Sequence, residues 1–192
     1  TRRIDAEIEL LPSAKPLKHG ARVRLHNGTA EVLGRISIAG TETELASGSG
    51  AVVRVRLEQP AVLTRHDRFI IRAYSPPVTV GGGIVLDPAP TRPGIRSAEG
   101  RASLDRLRPS GADDLPAIVA MIDATGLQGV EKRAVVSRAG VGPKDVDVVI
   151  RQLESRGIVS AGDRLVTQSH IAKAGEAVIT HVTAFHKAQP MS

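Results

Sequence analysis

Between residues 3 and 87, apolar side chains return at every second position in one short run after another. RIDAEIELL (3–11) alternates polar and apolar, and ARVRLHNGT (21–29) does the same before ending in an Asn27-Gly28 turn signal. AEVLGRISI (30–38) puts Ala30, Val32, Gly34, Ile36 and Ile38 on one face. AVVRVRLE (51–58) sets Arg54, Arg56 and Glu58 opposite Val53, Val55 and Leu57. RFIIRAY (68–74) and VTVGGGIVLD (78–87) complete about six strands. Short strands joined by Gly- and Pro-bearing turns, with no helix between them, predict a closed antiparallel β-barrel. Its apolar face points inward and its arginine-bearing face outward.

Gly81, Gly82 and Gly83 interrupt the last of these runs, SPPVTVGGGIVLDP (75–88). Glycine-rich turns can cradle phosphates when a helix amino terminus follows. Here IVLDP follows instead, with no Lys and no G-x-x-x-x-G-K-[ST] anywhere in the chain. The three glycines therefore read as a strand bent or closely approached by backbone, and Gly28 as the turn glycine of the second run. GSGAVV (48–53) is likewise a loop entering a strand rather than a dinucleotide fingerprint.

After residue 90 the pattern changes. DPAPTRPGIRSAEG (87–100) is rich in Pro and Gly and reads as part of a linker over 91–112, with one or two helical turns in RASLDRL (101–107). From 113 onward the period is helical. Asp113 or Asp114 can cap a helix bearing Leu115, Ile118, Val119 and Ile122. A second helix is predicted over 131–139, stopping at Gly140. A third follows Gly142, with Pro143 in its first turn and Val146, Val149, Ile150 and Leu153 facing the core. IVSAGDRLV (158–166) reads as a hairpin, and Ser169 as the cap of a final helix carrying Ile171, Val178, Val182 and Phe185. Helix, helix, turn, helix, hairpin is the winged variant of the helix-turn-helix. The fold class is thus mixed, with a barrel over 1–90, a linker over 91–112 and an α+β winged-helix unit over 113–192.

Composition limits the chemistry. The net charge of +6 and pI near 10.3 suggest an anionic partner. Residues 1–96 hold 14 Lys and Arg against 9 Asp and Glu, residues 97–192 hold 12 against 11, so the attraction lies in the first half. Phe69, Tyr74 and Phe185 are too few aromatics for serial base stacking. Phosphate contacts by arginine are the remaining mode, with Arg35, Arg54, Arg56 and Arg72 as candidates; scattered surface arginine can also serve solubility alone. The third helix offers Lys144, Asp147, Val148, Arg151, Gln152 and Ser155 outward. Its cations are balanced by Asp145, Asp147 and Glu154, which suits a spacer better than a groove reader.

The six histidines show no metal-ligand spacing, and His26 beside the Asn27-Gly28 turn reads as a local backbone partner. No Ser sits in a nucleophile elbow. The absence of cysteine suits a reducing cytoplasm, and neither a membrane-length apolar run nor a signal peptide is visible. The start at Thr1 suggests an excised piece of a longer protein.

LHNGTAEVLGRI (25–36), DRFIIR (67–72) and SPPVTVGGGIVLDP (75–88), in this order and spacing, closely resemble the third domain of the selenocysteine-specific elongation factors (SelB) and, more distantly, the third barrel of elongation factor Tu. The segment over 97–192 is similar to the first winged unit that follows in the bacterial factors, and FHKAQP (185–190) to the segment leading to the next. His66 departs from the pattern, standing where related factors commonly have Gly before DRF.

The resemblance implies a non-catalytic part of a GTPase that carries selenocysteyl-tRNA to the ribosome and reads UGA together with an mRNA hairpin. GTP and magnesium would belong to a domain outside this sequence, with no cofactor in the part present. The barrel would bind the acceptor–T-stem side of the tRNA. Carried over by position, the contacts would involve Leu33, Gly34, Arg35, Gln59, Tyr74 and Ser75, with Arg72 added from the arginine candidates. The winged unit would be the first element of an arm whose later units bind the hairpin, and the molecule a cytoplasmic monomer. Two rivals remain on sequence alone. One is a transcription regulator with a winged DNA-binding unit and a barrel sensor. The other is a scaffold for another protein.

Overall fold

In a computed structural model, residues 1–91, 94–108 and 114–188 are described. The first eight strands are β1 (Arg3–Leu10), β2 (Leu17–Lys18), β3 (Arg22–Asn27), β4 (Ala30–Ile38), β5 (Glu44–Leu45), β6 (Gly50–Leu57), β7 (Arg68–Ala73) and β8 (Thr79–Asp87). Six of them close into a barrel in the order β1-β6-β4-β3-β7-β8, while β2 and β5 pair separately. Every barrel pairing is antiparallel. The alternation read from the sequence decides what is inside: Ile4, Ala6, Ile8, Val23, Leu25, Ile36, Ile38, Val53, Val55, Phe69, Ile71 and Val85 form one continuous core. Burial of each large member stabilises the fold by roughly 1.5–3 kcal/mol.

Gly28 has φ of +56° at the first central position of the β3–β4 turn, with Asn27 paired to Ala30, as a type II′ hairpin requires. The glycines of β8 serve close approach instead. A Cβ at Gly81 would lie 2.2 Å from the Glu9 carbonyl oxygen, and one at Gly83 would lie 2.5 Å from that of Glu7 and 2.8 Å from Phe69 Cζ. Gly82 is the least crowded, its Cβ position 3.0 Å from the Phe69 carbonyl oxygen. All three are held in register between β1 and β7.

The chain then forms α1 (Ala98–Asp105), α2 (Leu115–Asp123), a 3₁₀ turn (Gly126–Gln128), β9 (Val130–Glu131), α3 (Ala134–Ala139), α4 (Val146–Glu154), β10 (Ile158–Ala161), β11 (Arg164–Thr167) and α5 (Gln168–Ala188). Strands β10, β11 and β9 make a small sheet under a core of Ile118, Ile122, Val135, Leu153, Ile158 and Leu165. This is the α+β winged-helix arrangement.

Several boundaries differ from the sequence reading. Glu131 is in a strand, not a helix: it pairs with Arg164 while Val130 pairs with Leu165 and is buried. Pro143 lies in the turn before α4, which starts at Val146. Ser169 is inside α5, donating its hydroxyl to Thr167 Oγ1 at 3.3 Å. Asp114 precedes α2 but makes no side-chain cap; Arg65 and His66 take its carboxylate. The alternative cap Asp113, the linker positions 92–93 and 109–112, and residues 189–190 of FHKAQP lie outside the described residues. Helix α1 begins ahead of RASLDRL because Ser97 caps it, its hydroxyl accepting from the Gly100 amide at 3.0 Å.

The segment read as a linker is packed. Ile95, Leu104 and Leu107 join Val52 and Leu86 of the barrel to Ala120 and Met121 of α2 in one apolar layer. Two arginines cross the same junction. Arg65, whose side chain is fully buried, donates to the Leu86 carbonyl at 2.6 Å, the Leu107 carbonyl at 3.0 Å and Asp114 Oδ1 at 2.9 Å. Arg138 of α3 donates twice to Asp87 at the end of β8, at 3.0 and 2.8 Å. His66 takes the glycine-type conformation, φ +70°, and its imidazole meets Asp114.

Burial disfavours ionisation of Asp114, but hydrogen bonds from Arg65 and His66 outweigh it and hold its carboxyl below the ordinary 3.8. A depressed pKa gives stability that is complete above the unfolded value and lost as pH falls through the folded one. Asp114→Asn should therefore lower the melting temperature at neutral pH and narrow the gap to the wild type as pH drops below that range. Parallel melting curves across this window would refute the assignment.

Candidate nucleic-acid interface

Strand pairing assembles what is scattered in sequence. Arg3 of β1 is opposite Arg56 of β6, Arg56 opposite Arg35 of β4, and Arg35 opposite Arg22 of β3. These positions alternate with the core residues, so all four side chains project from the outer wall. Adjacent strands lie about 4.8 Å apart, so the row spans roughly 14 Å. Like charges directly opposite one another destabilise a sheet. Three neighbouring like pairs are therefore an arrangement the fold alone does not favour, and one suited to a polyanion. Among the described residues, Arg3, Arg35 and Arg56 form no ion pair, although Arg35 donates to the Gly20 carbonyl at 3.4 Å.

A second row lies beside the first: Leu33 of β4, Arg24 of β3 and Arg72 of β7, with Glu58 joined to Leu33 through its amide at 2.8 Å. Glu58 grips Arg22 with both oxygens, accepting from Nε at 2.7 Å and Nη2 at 2.6 Å. The Arg22 guanidinium holds the Glu58 carboxyl below its ordinary range, and Glu58 in turn raises Arg22. Tyr74 lies under both cations, with the guanidinium carbon of Arg22 4.4 Å and that of Arg24 5.6 Å from its ring centre.

The positions carried over from the resemblance converge on this wall. Leu33 and Arg35 are on its outer face, Gln59 follows β6 exposed, and Tyr74 and Ser75 are exposed after β7. Gly34 faces inward, its Cβ position 3.0 Å from Val55 Cγ1, so what it offers is backbone. Arg72 is at the flank and donates to the Pro77 carbonyl. Of the arginine candidates, Arg35 and Arg56 belong to the row. Arg54 does not: it is committed to Asp5 at 2.7 and 2.8 Å, beside the junction. Arg3, Arg22 and Arg24 were missed, although each has the outward parity of its strand.

The glycine run does not have the form of a phosphate loop. It is committed to strand pairing on both sides, and no group of three His, Asp or Glu that could hold a metal occurs among the described residues. Among those residues, no helix is long and apolar enough to cross a membrane.

The fold defines the class: a six-stranded β-barrel module with an outer arginine wall, continued by a winged-helix unit. Residues 2–92, just under half of the chain, match the family model described as "Selenocysteine-specific elongation factor, beta-barrel domain", so this segment is similar to the β-barrel domain of that family. A curated selenocysteine-specific elongation factor from Desulfomicrobium baculatum is 26% identical over 192 residues, covering 97% of this chain and 30% of the relative's own length.

Proposed function

We propose that this chain is a non-catalytic part of a selenocysteine-specific elongation factor whose barrel holds the acceptor–T-stem side of selenocysteyl-tRNA. The supporting observation is the row Arg3–Arg56–Arg35–Arg22 on a barrel similar to that of this family. Arginine forks bind phosphate oxygens in pairs and fix register without reading sequence. Selection of the aminoacyl group, GTP hydrolysis and magnesium chemistry fall to other domains of the factor. The winged unit is the first element of the arm toward the mRNA hairpin on the ribosome, and the molecule works as a cytoplasmic monomer. The rival reading as a DNA-binding regulator gains nothing from α4, where Asp147 and Glu154 outnumber the one cation, Arg151.

Binding to a selenocysteine-tRNA transcript should weaken steeply with salt. Arg56→Gln or Arg35→Gln should each lower the affinity and reduce the log–log salt slope by about one. Salt-independent binding, or none at low salt, would overturn the reading.

A further inference from the structure

The arginine wall has an open half and a capped half. Arg3, Arg56 and Arg35 point outward without an ion pair among the described residues. On β3, by contrast, Arg22 is bound by Glu58, while Arg24 and His26 meet Glu31. The Glu58 cap is anchored from behind: its amide donates to the Leu33 carbonyl at 2.8 Å, and Arg2 Nη1 donates to its carbonyl at 2.9 Å.

A carboxylate held this way uses the same N–H fork that a phosphate would use. The pair is exposed, with side-chain accessibilities of 32% and 36%, and exposed ion pairs contribute little to stability. The contact therefore matters more to what Arg22 can bind than to the fold. Tyr74, 4.4 Å beneath Arg22, gives the guanidinium a platform that does not depend on Glu58.

We propose that Glu58 is a specificity-determining residue of the RNA interface, a built-in competitor that keeps Arg22 occupied until a rigidly placed phosphate displaces it. This inference rests on the tRNA reading above. A flexible polyanion reaches the open arginines and leaves Arg22 on Glu58. A folded RNA that docks on Arg3, Arg56 and Arg35 brings its next phosphate to Arg22 in fixed geometry, and so recruits the last fork of the row.

The test compares the full chain with Glu58→Gln, Arg22→Gln and the double variant, titrated with a selenocysteine-tRNA transcript and with poly(U). Glu58→Gln should bind the transcript about two- to fivefold more tightly, the equivalent of one exposed ion pair. It should gain more on poly(U), whose salt slope should steepen by about one contact, so discrimination between the two RNAs falls. The double variant should lose the gain, because the gain passes through Arg22. Glu9→Gln, about 20 Å along β1 from Arg3, makes the same charge change away from the row and should shift neither RNA comparably. Unchanged discrimination in Glu58→Gln, or a gain that survives in the double variant, overturns the proposal while the tRNA reading stands. Absence of binding by every variant at low salt removes the tRNA reading and this inference with it.

Discussion

Replacing Arg138 by alanine is expected to lower the melting temperature by on the order of 10 °C, the equivalent of roughly 3–5 kcal/mol in a chain of this size. Asp87 is 3% exposed and takes both of its ion-pair contacts from Arg138. Strand register also sets it directly opposite Asp5, which is 2% exposed. Burial already pushes the Asp5 carboxyl up, against the pull of Arg54, and the Asp87 charge adds to that push. Removing Arg138 leaves two neighbouring buried carboxylates with a single arginine between them. The loss comes from that uncompensated charge more than from a missing contact, so Asp87→Asn combined with Arg138→Met should recover much of the stability. Calorimetry decides the point. A double variant as unstable as the single one would show that the packing of α3, not charge, is at stake. Arg138 joins α3 to β8, so the single variant should also split the melting transition into separate barrel and winged-unit steps.

How much of this was legible beforehand follows from the range of each interaction. Inward and outward positions of the barrel strands depend on a period of two, which is local, so Val32, Gly34, Ile36 and Ile38 came out on the inner face as read, while Ala30, beside the turn, is exposed. The glycine run was legible as strand because nothing around it could support a phosphate loop. The helices of the winged unit were legible from their spacing, but β9 was not. Two residues become a strand only because β11, more than 30 residues later, offers them partners. The arginine row failed in sequence for the same reason. Arg3 and Arg22 become neighbours of Arg56 and Arg35 only through pairings between distant strands. Arg54 looked equal to Arg56 by alternation, yet an Asp5 on the adjacent strand takes it out of the interface. Nothing in the local sequence distinguishes buried Arg65 from an exposed arginine, because its partners Leu86, Leu107 and Asp114 come from three separate segments.

Gly83→Val is expected to abolish folding of the barrel, whereas Gly82→Ala should cost no more than about 1 kcal/mol. None of the β8 glycines has a positive φ, so the difference is one of space, not of backbone conformation. At Gly83 the first added carbon would meet the Glu7 carbonyl oxygen at 2.5 Å, Phe69 Cζ at 2.8 Å and Ile8 Cγ2 at 2.9 Å. The phenyl ring could turn aside, but the carbonyl belongs to β1 and cannot retreat without pulling β1 from β8. That pairing closes the barrel, so relief of the clash opens it and exposes two strand edges together with the core they cover. Overpacking in an adaptable core costs about 1–3 kcal/mol; a clash against backbone that also breaks closure should exceed that range. At Gly82 the nearest atom is 3.0 Å away, a distance a small strand shift can relieve. Soluble yield and amide exchange of β1 and β8 separate the outcomes. A soluble Gly83→Val variant with protected β1 amides would show that this seam of the barrel is looser than its spacing indicates.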